Sequence, residues 1–227
     1  AQVQWSRKII IFGDRGTIMD RYGNPLAIST RCYTVVLQPE IIRKQAVNLD
    51  EDNPNLYIDS LSNDLAQILE ISPEEVRSCI EEIQNQVILK RKVTAEQADE
   101  IEALLYYYTV ETNVDTQEKS KEYSGIIINH DIKREYPMGS FLTQVLGFTS
   151  IDGFGLEGLE SKYDENLAGE NGSLTVETDR EGVKISDATE IREEPTNGND
   201  LQLTIDVTLQ SFAESALESL MYEQDPE

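Results

Sequence analysis

The sequence predicts an α+β fold: an elongated β-rich framework, 1–39 and 122–205, carrying an inserted helical subdomain at 40–121. Two observations carry this. Strand-like runs with two-residue alternation dominate both ends, whereas apolar residues recur at three- and four-residue steps between them. Helix-start and turn residues also punctuate the sequence where those patterns begin and end.

Lys8-Ile9-Ile10-Ile11-Phe12 reads as the first strand and Arg31-Cys32-Tyr33-Thr34-Val35-Val36-Leu37 as another, separated by Asp14-Arg15-Gly16 and Asp20-Arg21-Tyr22-Gly23-Asn24-Pro25, two clusters of turn chemistry. Leu61, Leu65, Ile68 and Leu69 predict a short helix. In the next, Ser72 can cap, Pro73 suits the first helical position and Glu75 completes a capping box. Val76, Cys79, Ile80, Ile83 and Val87 then form one apolar stripe. Thr94 and Gln97 make a second capping box, followed by Ala98, Ile101, Leu105 and Tyr108.

The polar stretch from Thr112 to Lys121 reads as a loop. Strand character returns at Gly125–Asn129, and short helices are expected at Ser140–Leu146 and at Leu156–Asn166, the latter closed by Gly169. Leu174 and Val176, then Val183 and Ile185, alternate with polar residues across the turn Asp179–Gly182, which predicts a hairpin. Thr196–Asp200 turns into the strand Leu201–Ile205. Asp206 caps a last helix, 206–227, whose apolar face is Leu209, Phe212, Ala213, Ala216, Leu217 and Leu220.

Composition narrows the function. The 227 residues hold 43 acids against 19 basic residues, a formal charge of −24. Such a surface repels phosphate backbones and anionic headgroups, so nucleic acid is not an expected partner. No apolar run of membrane-spanning length is present, nor a signal-peptide pattern at the start. Cys32 and Cys79 read as two separate thiols in apolar surroundings, although one bridge between them is conceivable.

A search for chemistry returns nothing. No serine has a lysine three residues on, and Lys-Thr-Gly and Ser-Asp-Asn are missing. The single histidine, His130, ends a strand-like run with no nucleophile elbow to serve. One histidine and two distant cysteines do not make a zinc site, and Asp50-Glu51-Asp52 lacks calcium-loop spacing. The expectation is no catalytic residue, no metal and no cofactor.

Several blocks together resemble class B penicillin-binding proteins. Arg15-Gly16-Thr17-Ile18-Met19-Asp20-Arg21-Tyr22-Gly23-Asn24-Pro25-Leu26-Ala27 is similar to that family's Arg-Gly-x-Ile-x-Asp-Arg-x-Gly-x-x-Leu-Ala signature. Lys133-Arg134-Glu135-Tyr136-Pro137 with Val145-Leu146-Gly147-Phe148 resembles a second block, and Gly155-Leu156-Glu157-Gly158-Leu159-Glu160 with Tyr163, Leu167, Gly169 and Gly172 a third. Leu203-Thr204-Ile205-Asp206, with Gln210 and Glu214, resembles the entry into the transpeptidase domain.

The resemblance implies a non-catalytic pedestal with a helical head that lifts a serine-type D,D-transpeptidase away from the outer face of the bacterial membrane. The transpeptidase motifs would then lie beyond Glu227, and one N-terminal transmembrane helix would anchor the parent. It implies partners too: a polytopic (SEDS-type) peptidoglycan glycosyltransferase, other cell-wall machinery or a second copy of the chain. Rival readings are a stand-alone cell-surface binding protein of this fold, or a fragment of an acyl-serine hydrolase. Arg15, Gly16, Asp20, Arg21, Gly23, Arg134, Tyr136, Gly155, Glu157, Gly169 and Asp206 are the expected structural network. Within it Arg15 and Arg21 suit bidentate pairing with Glu157 and Asp206, and Gly16, Gly23, Gly155 and Gly169 suit conformations that other residues resist.

Overall fold

The computed structural model describes residues 5–49, 52–111, 125–178 and 190–224. Predicted features at 112–121 and 179–185 and the pair Asp50-Glu51 lie outside them. The chain divides into two compact units, Ala1–Thr30 with Lys133–Glu227, and Arg31–Ile132. Helices and strands mix in both, as the α+β reading requires.

In the first unit, β1 (Trp5–Ile11) pairs antiparallel with β6 (Gly172–Thr178), which pairs antiparallel with β7 (Glu190–Glu193). A short β2 (Ile18–Met19) lies antiparallel to the start of β3 (Pro25–Leu37) and parallel to β8 (Leu201–Gln202). Ile18, Leu26, Ala27, Leu142, Leu146 and Leu167 form its core, with Leu201, Leu203, Ile205 and Val207 packed against them.

The second unit buries Val35, Leu37, Ile42, Leu61, Leu65, Leu69, Val76, Ile80, Val93 and Ile101. They come from β3, α1 (Pro39–Leu49), α2 (Pro54–Leu69), α3 (Pro73–Glu81), β4 (Val87–Val93) and α4 (Ala95–Glu111). The predicted caps form. The Glu75 amide donates to Ser72 Oγ at 3.2 Å. The Gln97 amide donates to Thr94 Oγ1, while the Thr94 amide donates back to Gln97 Oε1. The Gln97 side chain also donates to Ile68 O, at the C-terminal end of α2.

One element differs from the expected pattern. The α3 stripe stops at Ile80: Ile83 is exposed, and Val87 opens strand β4, antiparallel to β3. The helical spacing of 83 and 87 is coincidental. β-branched Val87, Ile88 and Val93 fit a pleated surface that β3 supplies from fifty residues away, and that pairing overrides the local period.

Smaller differences have local causes. The helix expected over Leu156–Asn166 is two short ones, α6 (Gly158–Lys162) and α7 (Asp164–Leu167), broken at Tyr163. α5 covers only Thr143–Leu146, and β5 runs Ile126–Glu135, further than foreseen. Cys32 and Cys79 are unbridged, Cys32 buried and Cys79 half-buried. Burial pushes the Cys79 thiol up, and Glu82 and Glu75 add to the effect.

On β5, Asp131 accepts from Lys92 Nζ at 2.9 Å and Thr34 Oγ1 at 2.8 Å. Burial raises its carboxyl, but the bonds from Lys92, Thr34 and the Ile132 amide outweigh that and hold it below the ordinary value. A depressed acid stabilises the fold above its unfolded pKa, near 4, and loses that contribution as pH falls through the folded value. Asp131→Asn is therefore expected to lower the urea midpoint at neutral pH, with the gap from the parent closing below about pH 4. A gap that does not change with pH would show that the charge contributes nothing.

Candidate functional site

The first unit is tied together by one carboxylate. Glu160, on α6, is fully buried, as is most of Arg15, in the loop before β2. Arg15 Nε donates to Glu160 Oε2 at 2.7 Å and Nη2 to Glu160 O at 2.8 Å. Arg134 Nε, from the end of β5, donates to the other oxygen, Oε1, at 2.8 Å. Arg15 Nη1 reaches Asp164 Oδ1 at 2.6 Å and Gly153 O at 3.3 Å. Asp164 Oδ1 also accepts from the Gly155 amide. Two guanidiniums thus face two carboxylates, and short charge-assisted bonds offset the desolvation of the group.

Tyr136 stands over the same carboxylate, its hydroxyl 3.5 Å from Glu160 Oε1. Burial pushes its phenol above the ordinary value, and the Glu160 charge pushes the same way. Arg134 Nη1 leans towards Arg15 O and Ser29 Oγ, while Nη2 is buried without a hydrogen-bond partner.

The expected pairings need correcting. Arg15 pairs with Glu160 and Asp164, not with Glu157, which is exposed at the N-cap of α6 and makes no side-chain cap bond. Helical spacing held the missed signal. Leu159, Tyr163 and Leu167 form the apolar stripe of α6 and α7, and Glu160 and Asp164 each sit one residue beyond it. Arg21 does not bind Asp206 either. It is exposed, with its guanidinium 5.4 Å from the centre of the Tyr22 ring. Asp206 instead accepts from Tyr22 Oη at 3.2 Å and caps α8 (Val207–Gln224) through the Thr208 and Leu209 amides.

Of the four glycines, only Gly23 has positive φ, +87°. Gly16, Gly155 and Gly169 are required by close approach. A Cβ at Gly16 would lie 1.9 Å from Asn199 O, and at Gly155 2.1 Å from Glu160 O. The Gly16 contact fits a seam in which residues 13–17 are bonded to the turn at 196–200. The Asp14 amide donates to Asn197 Oδ1, the Thr17 amide to Asp200 Oδ1 and the Gly198 amide to Asp14 O.

The cluster has no nucleophile beside a base. His130 lies elsewhere, exposed and 5.3 Å from the Tyr33 ring. Among the described residues no three His, Cys, Asp or Glu converge as metal ligands. No described helix is long and apolar enough to cross a membrane. An open pocket of about 410 Å³ is lined by Met138, Phe141, Val207, Thr208, Ser211 and Phe212.

The residues of this seam and cluster lie inside the stretch, 10–203, that matches the penicillin-binding protein dimerisation domain. The chain belongs to that family. Stage V sporulation protein D of Bacillus subtilis is 33% identical over 233 residues, covering 100% of this chain and 31% of that protein. The probable peptidoglycan D,D-transpeptidase PenA of Neisseria gonorrhoeae is 28% identical, over 88% of this chain and 30% of its own length. The chain therefore spans about a third of these relatives. Among solved structures, penicillin-binding protein 2X of Streptococcus thermophilus superposes with TM-score 0.58 at 21% identity, covering 95% of this chain and 32% of that one. Penicillin-binding protein 2 of Helicobacter pylori, solved in complex with MreC, gives 0.58 at 19%, covering 95% of this chain and 39% of that one. This chain shares its fold with those two solved structures.

Glu160→Gln and Arg15→Ala are expected to cost about 3–5 kcal/mol, because each leaves a buried charge without its partner. Glu157→Ala should change stability by no more than about 0.5 kcal/mol, as for an exposed site. Chemical denaturation of the three variants checks both statements, and equal losses at 157 and 160 would contradict the assignment.

Proposed function

We propose that this chain is the non-catalytic pedestal and interaction module of a class B penicillin-binding protein, positioning a transpeptidase that cross-links peptidoglycan on the outer face of the cell membrane. The match to the dimerisation-domain family over residues 10–203 carries the reading. Relatives bearing the name peptidoglycan D,D-transpeptidase extend well past the shared region, which supports reading this chain as a part that works beside a separate transpeptidase region.

The same reading divides the chain into the pedestal at 1–39 and 122–205, the head at 40–121 and, at 206–227, the first helix of a transpeptidase domain. α8 supports the last assignment. Leu209, Phe212, Leu217, Leu220 and Met221 are all exposed on it, an apolar surface of the kind a following domain covers. Partners would be cell-wall proteins: a polytopic glycosyltransferase, a second copy, or a protein such as the MreC found in complex with the Helicobacter pylori protein.

Benzylpenicillin tests this directly. Intact mass after incubation with excess drug should show no adduct on this chain and one penicilloyl group on the longer protein from the same gene. An adduct here, or none on the longer protein, would overturn the reading.

A further inference from the structure

Between α5 and α6 the chain makes a tight hairpin, 148–156, that turns its apolar side chains away from the core. Thr149 and Gly155 form an isolated antiparallel bridge. The Leu156 amide donates to Phe148 O at 2.9 Å and the Ser150 amide to Phe154 O at 2.7 Å. At the tip the Gly153 amide donates to Ser150 O and the Phe154 amide to Ser150 Oγ. Gly155 faces inward, since a Cβ there would meet Glu160 O. Its neighbours Phe154 and Leu156, and Phe148 opposite Leu156, therefore face outward.

Phe148, Phe154 and Leu156 are 44%, 64% and 53% exposed, and Ile151 at the tip is 54% exposed. So dense a group of large apolar side chains differs from the single ones scattered over an ordinary surface. The hairpin is also held from behind. Arg15 Nη1 donates to Gly153 O, and Asp164 Oδ1 accepts from the Gly155 amide. At the base a Cβ on Gly147 would lie 1.9 Å from Glu157 O, so the two arms leave the unit in close contact. The buried ion cluster thus fixes this surface in advance, which lowers the ordering entropy lost when a partner binds.

Charge selects the kind of partner. From Glu135 to Ser161 the sequence has no lysine, arginine or histidine, and the charged groups of the hairpin and its base are Asp152 and Glu157, both exposed. The whole chain carries −24. A second copy or an anionic bilayer would bring like charge to this rim, whereas lysine and arginine around an apolar centre complement it. We propose that the 148–156 hairpin is a docking surface for a protein partner that presents apolar side chains edged by lysine or arginine. This rests on the interaction-module reading and gives that module a surface; the penicillin adduct test can fail without this surface failing, and the reverse.

An amphipathic helical peptide of leucine and lysine, titrated into the ¹⁵N-labelled whole chain, tests the surface. Amide shifts should centre on residues 148–156, and Phe154→Ser with Leu156→Ser should weaken binding by about tenfold or more, as central residues of an interface do. Both side chains are exposed, so this double variant keeps its fold. Leu209→Ser with Phe212→Ser, on the exposed face of α8, should leave binding within about twofold, and a peptide with glutamate in place of lysine should not bind. Equal loss in the two double variants, or shifts spread over the acidic surface, overturns the proposal. Dimerisation of the chain, or binding to phosphatidylcholine vesicles, that Phe154→Ser with Leu156→Ser abolishes would assign the hairpin to a second copy or a membrane and overturn it too. So would a loss of stability from that double variant in the longer protein but not in this chain, because a following domain would then cover the hairpin.

Discussion

Glu160 holds three distant stretches of chain in one place. Its two oxygens and its backbone carbonyl bind Arg15 from the first loop and Arg134 from the end of β5, and the carboxylate itself sits on α6. A buried ion cluster of this kind is a poor source of net stability, since desolvation consumes most of the Coulomb attraction. It is a strong source of geometry. Any register in which one arginine misses its carboxylate leaves a naked charge indoors, so competing arrangements are heavily penalised.

The rest of the first unit follows from that anchor. With Arg15 fixed, its neighbour Gly16 passes against Asn199, where only a hydrogen fits, and the seam of bonds between residues 13–17 and 196–200 closes. Closing it aligns β2 with β8 and joins the Asp20–Asn24 turn to the stretch before α8, where the Arg21 amide donates to Ile205 O and Tyr22 Oη to Asp206 Oδ2. Paired charge, close backbone contact and helix capping thus form one chain of constraints. Within the cluster the ionised groups answer one another.

Much was legible in advance because it is local. Ser72, Thr94 with Gln97, and Asp206 announced their helices, since a capping side chain needs only amides two or three residues away. What failed was non-local. Val87 read as helix until β3 claimed it, and Glu157 read as the arginine partner although the salt bridge lies three residues further on. Charge and proximity to a glycine were the wrong cues there. Position relative to the Leu159–Tyr163–Leu167 stripe was the right one.

By itself the sequence determined the fold class, the helix starts, the family resemblance and the lack of any recognisable catalytic motif, because these depend on residue types and short spacings. Only the tertiary structure decided which carboxylate meets which arginine, and which glycines are there for contact rather than for conformation. Those facts depend on distances between residues that are not local in sequence, Arg15 and Glu160 lying 145 positions apart, and a sequence of 43 acids offers too many candidate partners for spacing alone to choose among them.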